Sequence, residues 1–191
     1  MSLYTYAVIF AGGKSSRMGE DKALLPFGKY STLAEYQYKK LQKVFHHVSL
    51  SAKNDKFDFD CHVILDREEE SSPLVGIISM FEILKDADAI FILSVDAPFV
   101  DKAVIQDIMQ KEKSEADVIV AKSPSGIQPL CGLYKRSILP FAKEQYKQGN
   151  HRLQDLLARV KSEVIPFQNN TPFTNLNHPQ EYEEALKQSL S

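Results

Sequence analysis

The sequence predicts an α/β protein with a mainly parallel sheet flanked by helices. Apolar runs alternate with amphipathic segments along its 191 residues, which is typical of strands connected by helices. Glycine, serine and aspartate residues follow several of the apolar runs. Parallel sheets form their ligand crevices at the carboxyl ends of strands, so these residues are expected to share one edge. With 43% apolar residues the chain suits one globular domain, residues 1–191, with a sizeable core.

The apolar pattern predicts the individual elements. Strands are expected near residues 5–10, 47–52, 62–65, 89–95, 117–121 and 129–134. The helix after Thr32 has the clearest start, because Thr32 and Glu35 have the spacing of a capping box, and its apolar spacing continues to Phe45. A second helix begins at Ser72 and Pro73, a cap followed by a proline in the first turn. Further helices are expected over residues 101–112, 137–147, 152–160 and 179–190.

Composition excludes several classes of protein. The formal net charge is -2 and no stretch is strongly basic, which argues against a nucleic-acid binder. Cys61 and Cys131 lie far apart without metal-ligand spacing, as expected for reduced thiols in a cytoplasmic protein. No apolar run has the length of a membrane span, and no signal peptide is recognised, so no membrane association is expected.

The loop after the first predicted strand is the most informative segment. Gly12 and Gly13 leave the strand, and glycine backbones can direct successive N–H groups toward an anion. Lys14, Arg17 and Lys22 add positive charge suited to phosphate oxygens. An ordinary turn with solvated charges is the alternative, but two cations and no acid between Gly13 and Gly19, with Lys22 soon after, favour a triphosphate site.

Two better-known glycine loops do not match. A P-loop would need its second glycine one position earlier than Gly19, and Glu20 follows where lysine is required. The dinucleotide fingerprint fails because Gly12 and Gly13 are adjacent.

The loop resembles the signature of nucleotidyltransferases related to the molybdenum cofactor guanylyltransferases, with Phe10 in place of the usual leucine. Further matches cover nearly the whole chain: Asp66, residues 72–77, residues 95–99, residues 128–134 and residues 175–179. The resemblance implies a single-domain, Rossmann-like nucleotidyltransferase fold. It also implies direct transfer of GMP from GTP to the terminal phosphate of molybdopterin, with pyrophosphate as the second product.

The resemblance also implies roles for individual residues. Catalysis is expected from Arg17, Lys22 and Asp96, with Mg²⁺ as cofactor on Asp96. The residues expected to contact GTP are Phe10, Ala11, Gly12, Gly13, Lys22, Ser51, Asp66 and Asp96. The acceptor-side residues are Gln128, Asn175 and Asn177.

Simpler interpretations of these residues stay open at the level of sequence. Asp96 also suits a turn cap, and Asp66, beside charged neighbours, also suits a solvated loop. Ser51 stands where the family commonly has asparagine, which weakens the choice of guanine over another base. Gln128 also suits a turn after Gly126, and Asn177 also suits a helix cap.

Three other functions remain as alternatives: a cytidylyltransferase acting on the same pterin, a nucleotidyltransferase acting on a sugar or alcohol phosphate, and a noncatalytic nucleotide-binding adaptor. GTP and molybdopterin are the expected small-molecule partners. Cofactor-insertion chaperones and molybdoenzymes are candidate protein partners, and a monomer or weak oligomer is expected.

Overall fold

The computed structural model describes residues 4–12, 21–66 and 72–189. Within these ranges the strands are β1 Tyr4–Phe10, β2 Phe45–Ala52, β3 His62–Leu65, β4 Ala89–Ser94, β5 Val118–Ser123, β6 Gly126–Lys135 and β7 Ser162–Pro166. The α-helices are α1 Leu33–Leu41, α2 Pro73–Ile83, α3 Lys102–Met109, α4 Leu139–Lys147, α5 Leu153–Arg159 and α6 Pro179–Ser189. No helix in these ranges combines the length and apolar character needed to cross a bilayer.

The described strands form one sheet in the order β3-β2-β1-β4-β6-β5-β7. Neighbouring pairs among β3, β2, β1 and β4 are parallel, and β7 is parallel to β5. β6 alone runs antiparallel to its neighbours β4 and β5 within this sheet. The predicted mainly parallel α/β fold is therefore confirmed.

Alternating side chains along each strand cover the two faces of the sheet. Ala7 and Ile9 of β1 belong to the core cluster shared with α1, α3 and α6. Val8 and Phe10 point the other way, into the cluster shared with α2, α4 and α5. The sheet is thus buried on both faces, which explains why its central strands read as continuous apolar runs.

The predicted start of α1 is correct, but only one of the two capping-box bonds forms. Thr32 Oγ1 accepts from the N–H of Glu35 at 3.0 Å. The Glu35 carboxylate accepts instead from the N–H of Ser31 at 3.1 Å, one residue before the expected donor. At α2 the prediction is confirmed, because Ser72 Oγ accepts from the N–H of Val75 at 3.3 Å and a proline follows Ser72.

Three strand predictions differ from the structure. β7 was not predicted because its five residues alternate in exposure and its only sheet partner is β5. β2 begins at Phe45, two residues before the predicted start, so Phe45 lies in this strand and α1 ends earlier, at Leu41. β6 begins at Gly126, three residues before the predicted start at residue 129. The β5–β6 register shifts near Pro129, and a proline is tolerated at such an irregularity because it needs no ladder donor.

Candidate active site

The carboxyl ends of β1 to β4 meet at one edge of the sheet. Phe10, the last residue of β1, pairs with Ser51 of β2 and with Ser94 of β4. Because these strands are parallel, the residues that follow them emerge side by side. The predicted positions at this edge are confirmed for Gly12, Ser51, Asp66 and Asp96.

Asp96 follows β4 and is held by three contacts. Ser94 Oγ donates to Asp96 Oδ1 at 2.6 Å. The Lys22 ammonium lies 3.5 Å from Asp96 Oδ2. The Asp96 carbonyl accepts from the N–H of Leu176 at 2.9 Å, which ties the C-terminal part of the chain to this turn. The carboxylate is 19% exposed, so it has access to a ligand while most of its surface is covered.

Lys22 joins two residues that were predicted to serve different substrates. Its ammonium donates to Asn177 Oδ1 at 2.8 Å and also pairs with Asp96. The Asn177 side chain therefore does not act as a helix cap, which was the alternative interpretation. The Glu181 carboxylate accepts from the N–H groups of Asn177 and His178 at 2.7 and 2.8 Å, and so satisfies the start of α6.

Lys56 is a site residue that the sequence did not reveal. Its ammonium donates to the carbonyl of Ala11 at 3.0 Å and pairs with the carboxylate of Asp21. Asp21 in turn accepts from the N–H of Ala23, at the short 3-10 helix Lys22–Leu24. Lys56 therefore bridges the chain before and after the glycine loop. It belongs to no motif, and a separation of 45 positions between Lys56 and Ala11 left no local signal.

A small cavity of about 130 Å³ lies on the glycine-loop side of the edge. Ser51, only 3% exposed, donates to Asp66 Oδ1 at 3.3 Å and so orients this carboxylate. The α2 helix approaches closely here because Gly76 faces the ring of Phe10, where a Cβ atom would clash. The lining residues are Phe10, Gly12, Ser51, Asp66, Ser72, Pro73, Gly76, Ser94 and Leu130.

A larger cavity of about 410 Å³ adjoins the first. The two cavities share Pro73, Ser94 and Leu130, so they form neighbouring compartments of one crevice. The polar residues that line the larger one are Asp96, Gln128, His151, Arg152, Gln154 and Asn175. Asp96 lines the larger compartment, and Ser94, whose hydroxyl donates to its carboxylate, lines both.

Comparison with known proteins identifies the family. The model of the MobA-like NTP transferase domain matches residues 7–164. The chain belongs to the MobA-like NTP transferase family. It is 35% identical over 179 residues to the molybdenum cofactor guanylyltransferase of Campylobacter jejuni subsp. doylei, with 93% of each chain covered. It is 37% identical over 186 residues to that of Helicobacter pylori strain P12, covering 94% of this chain and 90% of the relative.

A solved structure has the same fold. The molybdopterin-guanine dinucleotide biosynthesis protein A of Archaeoglobus fulgidus superposes with a TM-score of 0.82 at 19% identity, covering 95% of this chain and 97% of the other. The Rossmann-like nucleotidyltransferase fold and the assignment as a nucleotidyltransferase enzyme are therefore confirmed. Members of the MobA-like family commonly use a divalent metal ion.

The three residues predicted for the acceptor side do not all lie in one place. Gln128 and Asn175 line the larger cavity, whereas the side chain of Asn177 contacts Lys22. Gln128 lies within β6 and not in a turn. Its amide nitrogen donates to Ser123 Oγ at 3.0 Å and to the carbonyl of Gly126 at 3.4 Å. It thus also stabilises the β5–β6 hairpin.

Gly13 and Arg17, like Lys14, lie outside the described residues, so their predicted roles remain predictions. Among the residues that the structure does describe, no cluster of three or more His, Cys, Asp or Glu side chains is arranged to hold a metal ion. Magnesium sites commonly combine one or two carboxylates with substrate phosphates and water, and the single Asp96 carboxylate in this crevice suits that pattern.

Cys131 is a core residue of this MobA-like domain, as predicted. It is 3% exposed, and burial raises the pKa of its thiol to about 12. A thiol with such a pKa is almost entirely protonated near neutrality and is a poor nucleophile.

Proposed function

We propose that the protein transfers GMP from GTP to the terminal phosphate of molybdopterin, yielding molybdopterin guanine dinucleotide and pyrophosphate. The observation that carries this proposal is the pair of adjoining compartments, with Asp96 lining the larger one and bound by Ser94, which lines both. A transferase that joins two small molecules needs such a geometry, because both must be bound with the reacting phosphates in contact. The names of the relatives at 35% and 37% identity support the choice of substrates.

The smaller compartment is proposed to receive the guanine base. Guanine presents adjacent N–H donors, and the Asp66 carboxylate, oriented by Ser51, is an acceptor-only group. The glycine loop leaves β1 beside this compartment, so a base bound there places the triphosphate along the loop. Lys22 then lies on the path of the phosphates, and Arg17 is proposed to add a second cation.

The larger compartment is proposed to receive molybdopterin. Its volume of about 410 Å³ falls within the range of roughly 300–1,000 Å³ that is typical of small-molecule sites. The amides of Gln128 and Asn175 offer donors and acceptors to a polar heterocycle, and the Arg152 guanidinium suits its phosphate.

The chemistry requires little proton transfer. An oxygen of the molybdopterin phosphate attacks the α-phosphorus of GTP, a new phosphoanhydride bond forms, and the bond to the pyrophosphate oxygen breaks. The attacking phosphate is already anionic near neutrality, so no general base is needed. The protein aligns the two phosphates and supplies positive charge through Lys22 and Arg17.

Asp96 is the residue that we propose to hold Mg²⁺. Its carboxylate already faces a cation, the Lys22 ammonium at 3.5 Å, which fits a position suited to positive charge. When bound, Mg²⁺ neutralises charge on the phosphate oxygens. Ser94 Oγ keeps one carboxylate oxygen fixed.

One observation favours a second candidate, transfer of CMP to the same pterin. Ser51 directs its hydroxyl to Asp66 and lacks the paired amide donor and acceptor of an asparagine. Cytosine presents a single amino donor with two acceptors, and recognition of this edge does not require an amide side chain at residue 51.

The test is a pyrophosphate-release assay that crosses the four NTPs with molybdopterin and common sugar phosphates, with mass spectrometry of the product. We expect release with GTP and molybdopterin, and little release with CTP. Preference for CTP would support the second candidate. Release only with a sugar phosphate would overturn both, and no release with any pair would favour a nucleotide-binding adaptor.

A further inference from the structure

Two polar side chains of α1 reach across the core to the backbone on both sides of Asp96. Gln37, fully buried, donates from Nε2 to the carbonyls of Ser94 and Val95 at 3.3 and 3.2 Å. One helical turn later the Lys40 ammonium donates to two more carbonyls, those of Pro98 and Val100, both at 2.8 Å.

The turn that carries Asp96 has weak internal bonds. The N–H of Ala97 donates to the carbonyl of Ser94 at 3.3 Å, and the N–H of Val100 donates to that of Ala97 at 3.4 Å. Both distances are longer than the roughly 2.9–3.0 Å that is most common for a backbone N–H···O hydrogen bond. The bonds from Lys40 are shorter, so α1 helps to fix the turn, together with the bonds from Leu176 to the Asp96 carbonyl and from Val95 to the Phe10 carbonyl.

Neither side chain is what core stability alone would select. Gln37 Oε1 is buried and accepts no hydrogen bond from the residues that the structure describes, and such an unpaired acceptor is costly. Burial likewise lowers the pKa of Lys40 from 10.5 to about 7, against smaller opposing effects of Cys131 and Asp101. Apolar residues of similar size would avoid both costs, so the retained donors indicate that the carbonyl positions matter.

We propose that Gln37 and Lys40 are positioning residues, which hold residues 94–100 so that the Asp96 carboxylate stays directed at the junction of the two cavities. This inference rests on the proposed function of Asp96 and adds two residues that touch no substrate. α1 is a suitable anchor because Leu33 and Leu41, at its two ends, are fully buried in the core.

Two variants test the proposal, each with a matched control. Gln37→Met and Lys40→Met keep the side-chain volume and remove the donors. Gln145→Met is the control for Gln37, because Gln145 is the other fully buried glutamine with an unpaired Oε1, and it donates to the carbonyl of Arg152 instead. Lys39→Met, one residue from Lys40 on the same helix, is the control for the removal of a lysine.

The first readout is hydrogen exchange of a peptide that covers residues 94–100, which requires no activity. We expect exchange to be faster by about tenfold in Gln37→Met and Lys40→Met, with both controls unchanged in this peptide. Lys40→Arg, which retains donors, should restore much of the protection. Wild-type exchange rates in both test variants would overturn the proposal.

The second readout separates positioning from a general loss of stability. In the transfer assay, we expect the half-saturating Mg²⁺ concentration to rise and kcat to fall by about tenfold, with KM for GTP nearly unchanged. A lower melting temperature with normal kinetics and normal Mg²⁺ dependence would assign both residues to the core alone. Lys40 is half-buried whereas Gln37 is fully buried, so Lys40→Met is expected to fold even where Gln37→Met does not.

The two proposals fail in different ways. If the wild-type protein releases no pyrophosphate with any substrate pair, the proposed function is wrong, while the exchange measurement still decides whether α1 holds the turn. If the wild type is active and the exchange of residues 94–100 is unchanged in both variants, only the positioning role is wrong.

Discussion

At the scale of single residues, Lys22 determines how the candidate site is organised. It contacts the Asp96 carboxylate and the Asn177 amide at once, although these residues stand 74 and 155 positions away in the sequence. The sequence predicted that Asn177 contacts the acceptor and not the residues that bind the GTP phosphates. Its contact with Lys22 does not support this separation. A substitution at Asn177 should also affect the binding of GTP.

We predict that Lys22→Ala weakens Mg²⁺·GTP binding by about tenfold or more, because a charge-assisted contact is lost. Asn177→Ala should weaken it by less, and the double variant should be no worse than Lys22→Ala, since both changes remove one shared contact. Calorimetric titration measures all three. Lys14→Ala is the control, because the family resemblance assigns roles to Arg17 and Lys22 but none to Lys14. Equal losses from Lys14→Ala and Lys22→Ala would contradict the assignment.

Lys40 leads to a prediction about stability and pH. Because its pKa is lowered from 10.5 to about 7, between these values the unfolded chain binds a proton there that the native protein does not. The free energy of unfolding should therefore rise with pH across this window. Relative to Lys40→Met, we expect wild type to gain about 1–2 kcal/mol between pH 7 and pH 9 in urea denaturation. Parallel pH curves for the two proteins would contradict a lowered pKa.

At the scale of elements, the close approach of α2 to β1 shapes the smaller cavity. The ring of Phe10 fills the space beside Gly76, which permits this packing because it lacks a Cβ atom. The family usually has leucine where this chain has Phe10, so the ring and the glycine form a pair that can be tested together.

We predict that Gly76→Ala lowers stability by about 1–3 kcal/mol, because the added methyl group overpacks this contact. It should also raise KM for GTP, since both residues line the smaller cavity. Adding Phe10→Leu should restore part of the stability, and a double-mutant cycle by chemical denaturation measures the coupling. Additive losses in the double variant would show that the two residues are not coupled.

At the scale of the whole molecule, the features that the sequence predicted correctly are those marked by a local pattern of residues. Each of the parallel strands β1 to β4 carries its own marker at or just beyond its carboxyl end, so Gly12, Ser51, Asp66 and Asp96 were placed at one edge correctly. Contacts between distant segments left no such signal. Gln37 bonds to residues 57 and 58 positions away, and Lys56 to one 45 positions away.

The sheet shows the same limit. β7 has five residues with alternating exposure and depends on its partner β5, so no apolar run marked it. The first residues of β6 were not predicted as a strand, because Gly126 and Pro129 are typical of turns. In the structure the register shift against β5 accommodates them.

The central claim is that transfer takes place where the two cavities meet at Asp96, and Asp96→Asn tests it most directly. The asparagine keeps the size and the partner Ser94 but removes the negative charge that a metal ion needs. We predict a native fold by circular dichroism and a turnover reduced by about two orders of magnitude or more, on the scale of ~3 kcal/mol for a preorganised electrostatic group. Turnover near that of wild type at saturating Mg²⁺ would contradict the account.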